Sequence, residues 1–315
     1  MKARVYINAA AAISPNGLVG EDGIMHAVEP DYKSIITNAN MRRRMSHIVK
    51  MGVACGLLCL QEINKPIDAI ITATGLGCLA DTEKFLASII ENEERLLNPT
   101  AFTQSTFNVI GAQIALLTNN HAYNNTFVHR GLSFESALID AIMRINEGDE
   151  NVLVGAIDEA TATTQAIMQR LGCLEDTILG EGAQFFVLGN KDSFGKNVEL
   201  KGIKTYTGKY SYEEVKQNIE SFLSTTNTNT EDIHCLITGD TGNSRRDKCY
   251  IDVCSLFPTA EKKTFKNICG EYPTASSYAL YLATSHLANN TSDKQSVLIY
   301  NSHNEVNQSL ILLEK

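Results

Sequence analysis

His129 and Ser133 stand four residues apart, with Asp140 farther along the same stretch, and a serine beside an imidazole suits acyl transfer. The same spacing permits a plainer role, in which Ser133 caps a helix and Glu135 favours its positive end. Lys266 and Glu271 could form an acid–base couple or a structural ion pair. Asp240, next to Gly239, offers a carboxylate to a cation or simply closes a turn. Arg42, Arg43 and Arg44, with His47 and Lys50, make the one dense basic cluster. It is a solvated helix end or, if the arginines open a helix, a patch that opposes the dipole and calls for an acidic partner. Gly75-Leu76-Gly77 lacks the rest of a dinucleotide fingerprint, so no cofactor is expected.

The eight cysteines (Cys55, Cys59, Cys78, Cys173, Cys235, Cys249, Cys254 and Cys269) form no C-x-x-C pair and no zinc-finger spacing. No metal is therefore expected. Cys55, Cys59 and Cys78 lie in apolar or small-residue runs and read as small hydrophobes in a reducing cytoplasm.

The elements that must position these residues alternate in type. Val5–Ile13, 69–74, 125–129 and 151–157 read as strands, separated by helical patterns over 41–61, 82–94, 105–117 and 133–146. Gln184–Leu188 is a strand returning antiparallel to 151–157. After residue 193 the pattern starts again, with strands at 197–206, 234–238, 296–300 and 308–313 and helices at 212–223 and 276–288. The polar tract 224–230 reads as a surface loop. Lys2 and Arg4 ahead of Val5–Ile13 mimic a short signal peptide, but Ser14-Pro15-Asn16-Gly17 is turn chemistry and favours strand-then-turn.

Composition narrows the class. The chain has 315 residues, 43% hydrophobic and 20% charged, enough to bury a large core. Its 27 basic and 36 acidic residues leave a net charge of −9, which argues against a dedicated nucleic-acid binder. The longest apolar stretch, 51–60, is about half of what a bilayer span needs, so no membrane role is expected.

Several segments, in order, resemble the β-ketoacyl synthase family. They are Val5–Asn8 through Ala12–Gly17, Met41–Ser46, Asn98–Phe102 with Ser105, Asn108 and Gln113–Ala115, Val154–Glu159, Gly180–Ala183, Thr241 with Asp247, Lys266 with Gly270, and Asn301-Ser302. The resemblance implies an α/β, thiolase-like fold, two similar βα halves stacked as a five-layer αβαβα unit, with halves at 1–192 and 193–315, the second shortened. It implies also which positions should be catalytic. The nucleophilic cysteine falls on Gly131; the two histidines fall on Gly239, within 237–243, and on Glu271. The Gly-rich segment after Asn301-Ser302 is replaced by His303-Asn304-Glu305-Val306-Asn307.

A member without these groups is expected to be non-catalytic, pairing with an active ketosynthase in fatty acid, polyketide or polyene biosynthesis as a chain-length factor does. Its partners would be that synthase or a second copy, with an acyl carrier protein meeting Arg42–Arg44. Family dimers pair through the strand entering the nucleophile turn, so Asn125, Thr126, Phe127, Val128 and His129 are the expected edge. His129, Gly131, Ser133, Asp240, Lys266, Glu271 and His303 are the candidates for the emptied pocket. The rival readings are a stand-alone acyl or small-ligand binder, and an acyltransferase or hydrolase using Ser133 with His129.

Overall fold

Strands made almost wholly of apolar and small residues sit where both faces are covered, and Asn151–Asp158 and Gly182–Gly189 are buried along their whole length. The computed structural model describes residues 3–63, 65–174, 177–193, 195–241, 247–290 and 294–315. It opens with β1 (Tyr6–Ile13), β2 (Ile24–Met25), α1 (Tyr32–Ile35), α2 (Ala39–Arg44) and α3 (His47–Gln61). β3 (Ala69–Ala73), α4 (Leu79–Glu91), α5 (Pro99–Gln104), α6 (Val109–Thr118) and β4 (Tyr123–Phe127) follow. Next come α7 (Ser133–Glu147), β5 (Asn151–Asp158), α8 (Ala162–Arg170), β6 (Leu179–Gly180) and β7 (Gly182–Gly189). The second set is β8 (Glu199–Thr207), α9 (Tyr212–Thr225), β9 (Cys235–Thr238), α10 (Lys248–Ser255) and β10 (Glu261–Thr264). It closes with α11 (Lys266–Cys269), α12 (Ser276–Asn289), β11 (Ser296–His303) and β12 (Asn307–Glu314).

Ten strands run in the order β10-β9-β11-β12-β8-β1-β7-β5-β3-β4, and β2 pairs with β6 separately. β7 is antiparallel to both β1 and β5, as its early return in the sequence suggests. The two groups of five meet where Tyr6 pairs with Glu199. Alternation along each strand assigns its side chains to two different cores. Ile7, Val154, Ile237 and Ile299 face a shared interior built on Phe134 and Leu138 of α7 and Leu280 and Ala283 of α12. Leu153, Phe185 and Val187 face outward onto α3 and α6 through Val49, Val53, Ile110 and Ile114. Leu236, Leu298 and Leu312 face outward onto Ile219 and Phe222 of α9 and Val253 of α10. Helix, sheet, helix, sheet, helix: these are the five layers of the thiolase-like architecture.

Several local expectations need correction. The helix expected over 41–61 is two, because Met45 turns extended and buries its side chain before Ser46 starts α3. Arg42, Arg43 and Arg44 consequently lie in the last turn of α2, where positive charge suits the dipole. The Arg42 guanidinium is already spent on the Ile36 carbonyl. The helix expected over 105–117 starts late, as α6 at Val109, because 105–108 form the turn after α5 ends at Gln104. The edge strand runs from Tyr123 to Phe127 rather than 125–129, with two asparagines inside it that weaken its strand signal. In the 224–230 tract, Ser224 and Thr225 finish α9, and Thr228 is buried with its hydroxyl on Glu314. α8, α10 and β10 have no counterpart in the sequence reading. All eight cysteines lie among the described residues and outside any disulfide, and Cys55, Cys59 and Cys78 are buried.

One buried carboxylate ties the two sets of strands together. Asp158 Oδ1 accepts from Thr74 Oγ1 and the Gly75 N–H, both at 2.9 Å, while Oδ2 accepts from Thr274 N at 3.1 Å and Thr274 Oγ1 at 2.7 Å. Burial raises the pKa of this carboxyl, and those hydrogen bonds work against the rise. Removing it strands several buried donors at once. Asp158→Ala is therefore expected to cost about 3 kcal/mol or more, checked by urea unfolding.

Candidate ketosynthase-like site

β4 runs into a tight turn before α7, with Arg130 in the left-handed region at φ 51° and Gly131 directly after it. Ser133 ties this turn: its hydroxyl accepts the His129 N–H at 2.7 Å and donates to the Arg130 carbonyl at 2.8 Å. The His129 ring goes elsewhere, Nδ1 lying 3.2 Å from Ser136 Oγ. Asp140 takes the Tyr123 hydroxyl at 3.1 Å. Ser133 and the His129 ring thus do not make a nucleophile–base pair. The capping expectation also needs correcting, since Ser133 is the first residue of α7 and makes no cap hydrogen bond. Glu135 does lie in the first turn, fully buried, and accepts from Ser309 Oγ at 2.8 Å.

The space where a side chain at Gly131 would stand is filled. A Cβ there would come 2.3 Å from His303 Cδ2, far inside van der Waals contact. At Gly239 the same holds: a Cβ would lie 2.5 Å from the Tyr250 hydroxyl and 2.9 Å from Lys266 Cε. The intruding side chains form one chain of contacts. His303 Nδ1 is 2.9 Å from Glu271 Oε1, and Glu271 Oε2 is 2.7 Å from Lys266 Nζ. Lys266 also donates to the Tyr250 hydroxyl at 3.3 Å and the Ser302 carbonyl at 3.2 Å. Asn304 Nδ2 lies 3.1 Å from the other ring nitrogen of His303.

Backbone geometry holds Glu271 in place. Its N–H donates to Ile178 O at 2.8 Å and its carbonyl accepts Gly180 N–H at 3.1 Å, extending β6 across to the second set. Gly180 makes this crossing possible, since a Cβ there would fall 1.9 Å from the Cys269 carbonyl. Burial would raise the Glu271 carboxyl. The Lys266 charge and the His303 contact outweigh it and hold the group at about 2, against an ordinary 4.5. Lys266 and Glu271 therefore form a charge-paired support, with His303 oriented by the free carboxylate oxygen.

Asp240 lies off this chain and accepts from Thr238 Oγ1 at 2.8 Å, a turn contact. Asp247 takes the Thr241 N–H at 3.0 Å, while Gly242 and Asn243 of the expected motif lie outside the described residues. Beside the chain opens a cleft of about 750 Å³, lined by Leu76, Met168, Tyr272 and Val306 with Arg130 and Glu159. Sequence reasoning missed Tyr250, whose helix α10 carries a weak signal between two loops.

At the opposite side of the turn, among the described residues β4 pairs only with β3. Asn125, Thr126 and Phe127 belong to this edge, and Val128 follows it, 42% exposed. Thr126 Oγ1 meets Thr72 Oγ1 at 2.7 Å, and its N–H donates to Asn125 Oδ1 at 2.9 Å.

Residues 25–171 match the family model of the β-ketoacyl synthase N-terminal domain. Across 98% of the chain, the ishigamide ketosynthase/chain length factor superposes with a TM-score of 0.83 at 14% identity, covering 99% of that chain. A ketosynthase bound to a hexaketide, in complex with a type II polyketide synthase acyl-carrier protein, gives 0.78 at 16% identity, with 99% of both chains covered. A β-ketoacyl synthase from Burkholderia phymatum STM815 gives 0.77 at 12% identity, again over 99% of both chains. No curated protein sequence matches the chain. The fold is that of the ketosynthases, and Gly131 lies within the matched domain.

Two outcomes are expected of this ketosynthase-like site. Gly131→Ala should lose about 1–3 kcal/mol from overpacking against His303, and adding His303→Ala should recover most of it in a double-mutant cycle. The folded-state carboxyl of Glu271 lies below its ordinary value, so its contribution is present above pH 4.5 and fades as pH falls toward 2. Glu271→Gln should accordingly be less stable than the parent at pH 7, with the gap closing across that window in chemical unfolding.

Proposed function

We propose that this chain is a non-catalytic ketosynthase-like subunit that pairs with an active ketosynthase, in the manner of a chain-length factor. The observation that carries the reading is the glycine at 131, with His303 in the space a nucleophile would need. A condensing enzyme needs a thiolate at that turn, and none of the eight cysteines lies in the segment 123–147. Gly239 and an ionised Glu271 supply no side-chain hydrogen-bond donor for a thioester carbonyl, and a carboxylate at Glu271 would repel a malonyl carboxylate. On this reading residues 1–192 and 193–315 are the two halves of one thiolase-like unit, retained for its shape and its edge.

The proposed interface is β4 and its surroundings. The strand has a free edge among the described residues, and Phe107, Leu116 and Val128 are exposed large hydrophobics beside it. An unpaired strand with an apolar flank suits a partner that adds a strand of its own. One similar structure is a ketosynthase/chain length factor and another holds an acyl-carrier protein, so a synthase and a carrier are the partners to try. Arg43 and Arg44, exposed at the end of α2, are the basic residues offered to an acidic carrier. No helix among the described residues is long and apolar enough to cross a membrane, and a cytoplasmic complex is proposed.

A second reading, a stand-alone binder of an acyl chain or other small ligand, is favoured by the cleft of about 750 Å³ beside His303. A rise in melting temperature of the isolated chain with acyl thioesters would single it out.

Co-expression with cysteine-bearing ketosynthases tests the pairing. The chain is expected to co-purify with one of them, to alter its product length, and to catalyse no condensation alone. Leu116→Glu with Val128→Glu, both exposed, should leave the fold intact and abolish co-purification. A chain that stays monomeric with every synthase, or that forms product alone, overturns the reading.

A further inference from the structure

At the far end of the sheet from β4, three metal-ligating side chains converge from three elements. Parallel pairing sets Cys235 of β9 opposite Glu261 of β10, and the pleat turns Lys263 to the same face. α12 packs over that face and brings His286 from its last turn. The Cys235 sulfur, a Glu261 carboxylate oxygen and a His286 ring nitrogen all lie within 4.8 Å of one another. Cys235 forms the buried floor, while Glu261 and His286 leave the site open to solvent.

A cationic group already stands among these donors. Lys263 Nζ lies 2.7 Å from His286 Nδ1 and 3.4 Å from Glu261 Oε1. Its side chain is 35% exposed, on an edge strand, so it can swing into solvent.

We propose that Cys235, Glu261 and His286 bind one Zn²⁺, and that Lys263 is the internal cation the metal displaces. A thiolate, an imidazole and a carboxylate are a donor set that suits Zn²⁺, with water completing the tetrahedron. On binding, the Cys235 thiol gives its proton to solvent as the S–Zn bond forms, and no oxidation state changes. Departure of the ammonium removes a competing positive charge from the donors, and His286 Nε2, 4.0 Å from Glu261 Oε2, faces the carboxylate across the site. The ion would clamp the edge strand β10 and the end of α12 onto β9. No sequence spacing announces such a site, because its donors come from three separated elements, and the expectation of no metal rested on local spacing alone.

The purified full chain is titrated with Co²⁺ as a spectroscopic probe and then with Zn²⁺. One equivalent of Co²⁺ should develop thiolate-to-cobalt charge-transfer absorption that Zn²⁺ abolishes. His286→Gln and Glu261→Gln should weaken binding by about tenfold or more, and Lys263→Ala should tighten it. Cys235→Ser should remove the absorption band. If that buried substitution fails to fold, His286→Gln and Lys263→Ala, both at accessible side chains, decide the matter. Absence of the band in a natively folded chain overturns the proposal, as does a band unaffected by His286→Gln and Lys263→Ala.

Discussion

The Asp158 carboxylate is the contact on which the arrangement of the site depends. It sits at the end of β5 and collects donors from the turn after β3 and from Thr274, which precedes α12 in the second set of strands. A buried carboxylate is tolerated only where hydrogen bonds replace its lost water, so its donors must stay where they are. That requirement sets the 270–274 turn against the end of the first set. Glu271 lies in that turn, and the β6 crossing at Gly180 fixes it from the other side. The central helices α7 and α12 pack in that frame, with Gly131 just before one and the Glu271 turn before the other.

Within that frame, Gly131, Gly239 and Glu271 and the side chains around them behave as one packing unit. Gly131 is required once His303 occupies its space, and Gly239 is required once Tyr250 and Lys266 do. Lys266 in turn needs a counter-charge where it is buried, which Glu271 supplies. Changing one position alone would create a clash or an unpaired charge. A cysteine placed at 131 meets an imidazole before it meets a substrate.

How much of this was legible in the sequence follows from which signals are local. The inner strands β1, β3, β5 and β7 stand out because burial leaves short runs made mostly of apolar and small residues. β4 reads two residues out of register because an edge strand tolerates Tyr123, Asn124 and Asn125, which carry no apolar pattern. The break at Met45 is invisible to periodicity, since Met45 points into the same outer core as the helices on either side of it. Ser133 has the composition of a cap, yet its hydroxyl is used by the turn before the helix.

The sequence by itself determined the alternation of elements, the absence of a cysteine at the turn before α7, and the identity of Gly131, Gly239 and Glu271. These are local facts of residue type and order. Only the tertiary structure decided that His303 fills the space at Gly131, that Tyr250 and Lys266 fill the space at Gly239, and that Cys235, Glu261 and His286 share a corner. Each of those is a contact between segments far apart in the chain, set by strand pairing and by the packing of α7 and α12, and side-chain type alone carries no information about such distances.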